Sequence, residues 1–136
     1  MVHALEQIHG LVGPDGHLID IHPDGEPVPL IRPLASGDKL IGYLKERDDY
    51  IEYRQTDEAL ETIVASGFFQ VERAEAFEFY TYADSFDELK GFLEGNWSDA
   101  IIEDELAAQA RRLERAHGIG EILLRERARI ALLKVL

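Results

Sequence analysis

Leu5-Glu6-Gln7-Ile8-His9-Gly10-Leu11-Val12-Gly13-Pro14-Asp15-Gly16-His17-Leu18-Ile19-Asp20-Ile21-His22-Pro23 is the stretch on which the reading of this chain turns. Val2, Leu5, Ile8 and Val12 recur at helical spacing and give one apolar face. Pro14-Asp15-Gly16 then supplies turn chemistry, because proline presets φ and glycine tolerates positive φ. Leu18-Ile19-Asp20-Ile21 is a short, mostly apolar run. It predicts a strand covered on both faces, as parallel strands in layered α/β sheets are. Pro23 and Gly25 end it.

Outward from there, Asp24-Gly25-Glu26 is a polar turn. Val28 to Leu34 and Lys39 to Lys45 are extended runs joined through Ala35-Ser36-Gly37-Asp38, with Gly37 suited to φ > 0, so a β-hairpin is expected. Pro29 and Pro33 cannot donate to a ladder, which makes the first arm an edge strand and the hairpin peripheral. Leu60, Ile63 and Val64 mark a helix that Thr56 would cap and Gly67 would end. Asp48 to Gln55 fits either an earlier helical turn or extended chain. Phe68 to Tyr82 is the longest strand candidate, with a polar middle at Glu72 to Ala76 that suggests a bulge or exposure. Ser85 caps a further helix, broken at Asn96-Trp97-Ser98. Ile101 to Ala116 is another. Glu121 to Leu136 is the last strand. There Ile122, Leu124, Ala128, Ile130, Leu132 and Leu136 share one parity, and Arg125, Arg127 and Arg129 the other. That alternation predicts one packed and one wet face.

At 136 residues the chain is expected to be one domain, 1–136, with a core of its own. It has no cysteine, which leaves no disulfide framework and no thiolate ligand or nucleophile. A net charge of −13 argues against binding nucleic acid or an anionic membrane surface, since both need a positive field. No apolar run approaches transmembrane length, and no basic segment precedes an apolar one at the N-terminus. The expected location is cytoplasmic.

Leu5, Ile8, Val12, Pro14, Gly16, Leu18 and Asp20 carry a resemblance. The segment resembles the entry to the fifth strand of class I S-adenosylmethionine-dependent methyltransferases. The rest of the chain is similar to the C-terminal half of such an enzyme, with Phe68–Tyr82 and Glu121–Leu136 as its closing strand pair. The fold this resemblance implies is α/β: a truncated methyltransferase-like (Rossmann-like) three-layer domain. It would have a mixed sheet, a long C-terminal antiparallel strand pair and a peripheral β-hairpin. The family's glycine-rich turn after a first strand, and the acid that holds the ribose, have no counterpart here. The only Gly-x-Gly, Gly118-Ile119-Gly120, follows a helix and precedes a strand, the reverse of the required context. The expected function is therefore a non-catalytic binding or interaction module with no cofactor of its own. The alternative is a methyltransferase whose S-adenosylmethionine-binding half sits on a partner chain or lies outside this reading frame. The resemblance also implies that Leu18–Ile21 lacks a neighbour on one edge, from which a homodimer is expected.

Four residues stand out as substrate-pocket candidates: Asp20, His22, Tyr80 and Trp97. Asp20 and His22 lie i, i+2 on one strand face near its C-terminal end, where α/β sheets bind ligands. Their chemistry suits an acid–base or metal pair, against the plainer reading of a polar strand terminus with His22 at the surface. Trp97 would be a pocket wall or a packing anchor under the helices. Tyr80, with Phe77, Phe79 and Tyr82, would line a pocket or form sheet core. His3, His9 and His117 read as structural or solvated. The three arginines of the last strand invite an anion site, or cross-strand pairing with Glu72, Glu75 and Glu78, which is the reading preferred.

Overall fold

A computed structural model describes all residues, Met1–Leu136, and they form two compact units. The first contains helix α1 (Val2–Val12), strand β1 (His17–Pro23) and helix α2 (Ile51–Ala65). It also takes the beginning of strand β5 (Phe69–Ala83), as far as Phe77, and the end of β7 (Ile122–Val135), from Arg127. The second contains β2 (Pro29–Leu34), β3 (Gly37–Tyr43), β4 (Lys45–Glu46), α3 (Phe86–Asn96), β6 (Ala100–Ile101) and α4 (Asp104–His117), with the remainder of β5 and β7.

The expected Rossmann-like three-layer fold is not what this chain forms. The main sheet has five strands in the order β1-β7-β2-β3, with β5 also on β7, and β4 and β6 make a separate pair. Each pairing β1–β7, β2–β7, β2–β3 and β4–β6 is antiparallel. The expectation went astray at Leu18-Ile19-Asp20-Ile21. The run is apolar on both parities, yet only one of its faces is covered. Ile19 and Ile21 are 62% and 59% exposed. Composition cannot separate a doubly covered parallel strand from an antiparallel edge strand with two exposed isoleucines.

In the first unit, Leu5 of α1, Ala59 and Ile63 of α2, Phe69 of β5 and Leu133 and Val135 of β7 form the buried cluster. Leu18 packs against it from β1. The α1 periodicity at Val2, Leu5 and Ile8 is what brings these residues to that cluster. Helix α2 begins at Ile51, so Thr56 is inside it and bonds back to Glu52 O at 3.1 Å instead of capping it.

In the second unit, β2 is not an edge strand. It pairs with β3 along its length, and Leu30 and Ile31 also pair with Leu124 and Leu123 of β7. Pro29 and Pro33 flank this two-residue contact, so neither removes a donor from the β7 ladder. Gly37, at φ 119°, makes the turn into β3. Leu30, Leu44, Tyr50, Phe86, Leu89, Leu93, Leu106, Ala110, Ile122 and Leu124 are buried here. Helix α4 lies so close over β3 that a Cβ on Gly42 would stand 2.7 Å from a Leu106 methyl.

Strand β7 shows where strict alternation misleads. Ile122, Leu124 and Ala128 are buried as the even parity predicts, but so is Leu123, and toward the C-terminus the buried residues are Leu133 and Val135. Strand β5 departs further, being exposed from Gln70 to Tyr80 on both parities. Phe77, Phe79, Tyr80 and Tyr82 are 42%, 40%, 43% and 60% exposed, and none is sheet core.

Asp49 and Tyr50 have φ of 56° and 61°, an uncommon left-handed pair for non-glycine residues. Asp48 Oδ1 accepts the Tyr50 N–H at 3.1 Å, and the buried Tyr50 ring is tied down at its far end. Its hydroxyl donates to Leu44 O at 2.9 Å and accepts from Val28 N–H at 3.4 Å. Burial pushes the phenol pKa up to about 12, against a pull downward from the Val28 N–H. A folded-state pKa above the unfolded value of 10.0 gives stability that is full below pH 10 and lost as pH rises through about 12. Tyr50→Phe should cost roughly 1–2 kcal/mol at neutral pH by leaving Leu44 O and Val28 N–H short of a partner. The gap between wild type and variant should then close between pH 10 and about 12 in urea melts. A gap that stays constant across that interval would show that the phenol does not remain neutral in the fold.

Candidate functional site: an imidazole held between two carboxylates

Alternation along β1 puts Asp20 and His22 on the face turned toward α2. Asp57, on the same helix, reaches that face, and Arg129 is the cross-strand partner of His22 on β7. His22 Nδ1 lies 2.5 Å from Asp20 Oδ2, and His22 Nε2 lies 2.9 Å from Asp57 Oδ1. Arg129 Nη1 donates to the same Asp57 oxygen at 3.1 Å. His22 is only 9% exposed, so the reading of a surface histidine at a polar strand end is corrected.

The arrangement limits what His22 can do. Both ring nitrogens are engaged by carboxylate oxygens, and no hydroxyl contacts the ring. Asp20 and Asp57 stand at opposite ends of the imidazole and do not converge on a common point. Accordingly, no group of three or more His, Asp or Glu side chains in the chain is placed to hold a metal ion. The cluster is a clamp joining β1, α2 and β7.

The other candidates lie apart from it. Tyr80 is exposed, and its hydroxyl contacts Glu78 at 3.3 Å. Trp97, half-buried, follows α3 and donates from Nε1 to Glu46 Oε1 at 2.6 Å. That bond satisfies a carboxylate on β4 that is 8% exposed, beside the Lys45–Glu103 ion pair at 2.9 Å. Trp97 thus ties the end of α3 to the β4–β6 pair through its polar end. At the opposite end of α3, the Arg111 guanidinium holds the Asp87 carboxyl below its ordinary range.

The arginines of β7 do not pair with Glu72, Glu75 and Glu78. Arg129 goes to Asp57, and Arg127 stands 3.9 Å from Asp24. Glu72 meets His17 at 3.1 Å and Glu75 meets Arg73. His9 is structural, with its ring edge-on to Phe68 and its Nε2 3.0 Å from Leu136 O. Two residues were not legible beforehand. Asp57 reads as an ordinary first-turn acid. Arg32 sits in Val28-Pro29-Leu30-Ile31-Arg32-Pro33-Leu34, where a lone cation in an apolar run was the available signal.

No family model matches this chain, and no curated protein does either.

Removing the ring should leave Asp20 and Asp57 each short of a hydrogen bond at partly buried positions, with Arg129 still on Asp57. His22→Ala is expected to cost about 1–3 kcal/mol, the range for leaving buried polar groups without a partner. A double-mutant cycle with Asp57→Asn should show coupling of about 1 kcal/mol or more. Additive losses in chemical denaturation would mean that the two side chains do not act together.

Proposed function

We propose that the chain is a non-catalytic interaction module that associates with a second copy of itself through strand β1. What supports this is the direction of the β1 backbone. Val135 N–H donates to Gly16 O at 2.8 Å, and Asp24 N–H donates to Arg127 O at 3.1 Å. In this ladder the even-numbered residues of β1 bond inward to β7. His17, Ile19 and Ile21 therefore direct their N–H and C=O groups outward, along the edge that has no neighbouring strand. The exposed Ile19 and Ile21 side chains lie beside that edge.

The other sheet edges are protected where this one is not. β5 carries Glu72, Arg73, Glu75 and Glu78 along its length, and β3 begins at Gly37-Asp38-Lys39. Charges of this kind discourage strand addition. On β1 the one acid, Asp20, is occupied by His22.

Register follows from the same residues. Centring an antiparallel pair on Asp20 would set two Asp20 carboxylates opposite each other, which is unfavourable. Centring it on Ile21 would bring Pro23, which has no N–H, opposite Ile19 and forfeit bonds. Centring it on Ile19 pairs His17 with Ile21 of the second copy and permits about six interchain hydrogen bonds. Burying the two isoleucines of each copy contributes about 1–2 kcal/mol per side chain, given their present exposure. Association itself costs about 4–15 kcal/mol. Terms of similar size on both sides make the dimer a reversible one.

The same reading has the isolated chain without S-adenosylmethionine chemistry. Gly118-Ile119-Gly120 leaves helix α4 and enters β7, which gives no strand–turn–helix to receive a pyrophosphate.

Sedimentation equilibrium from about 1 to 200 µM should show a monomer–dimer equilibrium, since Kd values in that span correspond to about 5–8 kcal/mol. Ile19→Lys should leave the fold intact, because the side chain is exposed, and shift the protein to monomer. Wild type that stays monomeric at the highest concentration, or a variant that still dimerises, would remove this proposal. Separately, calorimetric titration should show no S-adenosylmethionine binding. A micromolar Kd would return the methyltransferase alternative.

A further inference from the structure

We infer that the second unit binds a small monocarboxylate at Arg32. The observation is a buried cation with no counter-ion. Arg32, on β2, is 6% exposed in a chain of net charge −13, yet no carboxylate pairs with it. Its one protein partner is Gly118 O, which accepts from Nη2 at 2.9 Å. Its Nε–H is buried without an acceptor, the only buried side-chain polar atom in the chain in that position. A guanidinium carries five N–H donors and stays charged at any ordinary pH.

The plain account is that Arg32 caps helix α4. It does so in part, because Gly118 follows the last helical residue, where carbonyls are unpaired and the helix end is partly negative. That account uses one donor of five. Desolvating a cation costs several kcal/mol, and one carbonyl bond with about half a charge of helix dipole does not balance it. A cap also has no need of burial, since a lysine or arginine reaching in from the surface serves as well.

An open surface pocket of ≈ 430 Å³ lies beside Arg32, lined also by Pro33, Leu34, Ala35, Ser36 and His117. That volume suits a small metabolite. Gly120 presses its backbone against the guanidinium: a Cβ there would fall 2.7 Å from Nη2 and 2.9 Å from Nη1. The guanidinium is thus held by its bond to Gly118 O, with room for it left by the missing side chain at Gly120. Preorganisation of this kind lowers the cost of binding.

Ligand class follows from the charges and walls. A planar guanidinium matches a planar carboxylate, and Ser36 adds a hydroxyl at the rim. There is one buried cation, set against the negative end of α4, so a phosphate dianion would leave one charge unmatched. Pro33, Leu34 and Ala35 offer apolar contact to a short hydrocarbon body. This site lies wholly in the second unit and does not depend on association through β1.

The test uses the full chain and sodium butyrate, with sodium phosphate and sodium chloride at matched ionic strength. Butyrate should raise Tm in a saturable way, as a ligand that binds only the folded state does. Chloride and phosphate should raise it less. NMR should show the Arg32 guanidinium signals moving with butyrate, together with backbone signals at 32–36 and 117–118. Ser36→Ala, at an exposed position, should weaken butyrate about threefold to tenfold without lowering Tm in its absence. Arg32→Lys keeps the charge, loses the fork and should weaken binding at least tenfold. Equal shifts from all three salts, a stronger response to phosphate, or NMR changes away from these residues would overturn the assignment. Should Arg32→Lys fail to fold, the wild-type NMR titration and Ser36→Ala decide alone.

Discussion

The antiparallel ladder between β1 and β7 is the constraint from which most of the first unit follows. Its register, His17 with Lys134 through Pro23 with Ala128, fixes the direction of every β1 side chain and every β1 backbone group. One parity turns Leu18 to the buried cluster and sets Asp20 and His22 toward Asp57. The other leaves Ile19 and Ile21 in solvent. A slip of one residue would exchange these roles, placing two isoleucines against α2 and stranding His22 outside. The Asp20–His22–Asp57–Arg129 clamp opposes such a slip, because its contacts exist in this register alone. A polar cluster of this kind contributes little net stability for its size, and its value is as a device of specificity.

In the second unit the analogous role falls to the β2–β3 hairpin, with α4 laid over Gly42. A register shift between Leu30 and Ile31 lets both of these residues be buried. Such an irregularity re-aims the residues beyond it. Arg32 comes directly after and is buried in turn, close to the C-terminal end of α4. Both units therefore place a charged or titratable side chain under cover by strand geometry. They differ in how completely the chain itself satisfies it: His22 has both nitrogens met, while Arg32 has one bond and a buried donor left over.

Element types were largely legible in the sequence. Helical spacing at Val2, Leu5 and Ile8 corresponds to α1, the helix expected over Ile101 to Ala116 is α4 but begins only at Asp104 with Ile101 in β6, and Ser85 caps α3 by accepting from Glu88 N–H at 3.1 Å. Gly118 ends α4 at φ 82°. Sheet architecture was not legible, because an apolar tetrapeptide reads alike whether it lies in a covered parallel strand or at an antiparallel edge. The layered fold inferred from the resemblance failed at that point. At the candidate site, the spacing of Asp20 and His22 gave a shared face, and local sequence could give no more. Asp57 is separated from His22 by 35 residues, and only tertiary packing brings it to the ring. Arg32 gave only the signal of a lone cation in an apolar run, since its isolation from carboxylates is a property of space and not of sequence.

Strand β5 runs from Phe69 to Ala83, and only those two terminal residues are buried. Between them the strand is held chiefly by backbone bonds to β7, with little apolar area to reinforce them. It behaves mechanically as a strap pinned at its ends. Segments of this kind open locally at a free energy well below that of global unfolding. Fraying should therefore begin in the middle of β5, where most edge strands begin at a terminus. Amide hydrogens around Glu72 to Ala76 would exchange first while those beside Phe69 and Ala83 remain protected. The long pair would then have a soft centre between two firm ends, with the exposed His17–Glu72 contact as a side-chain tie there.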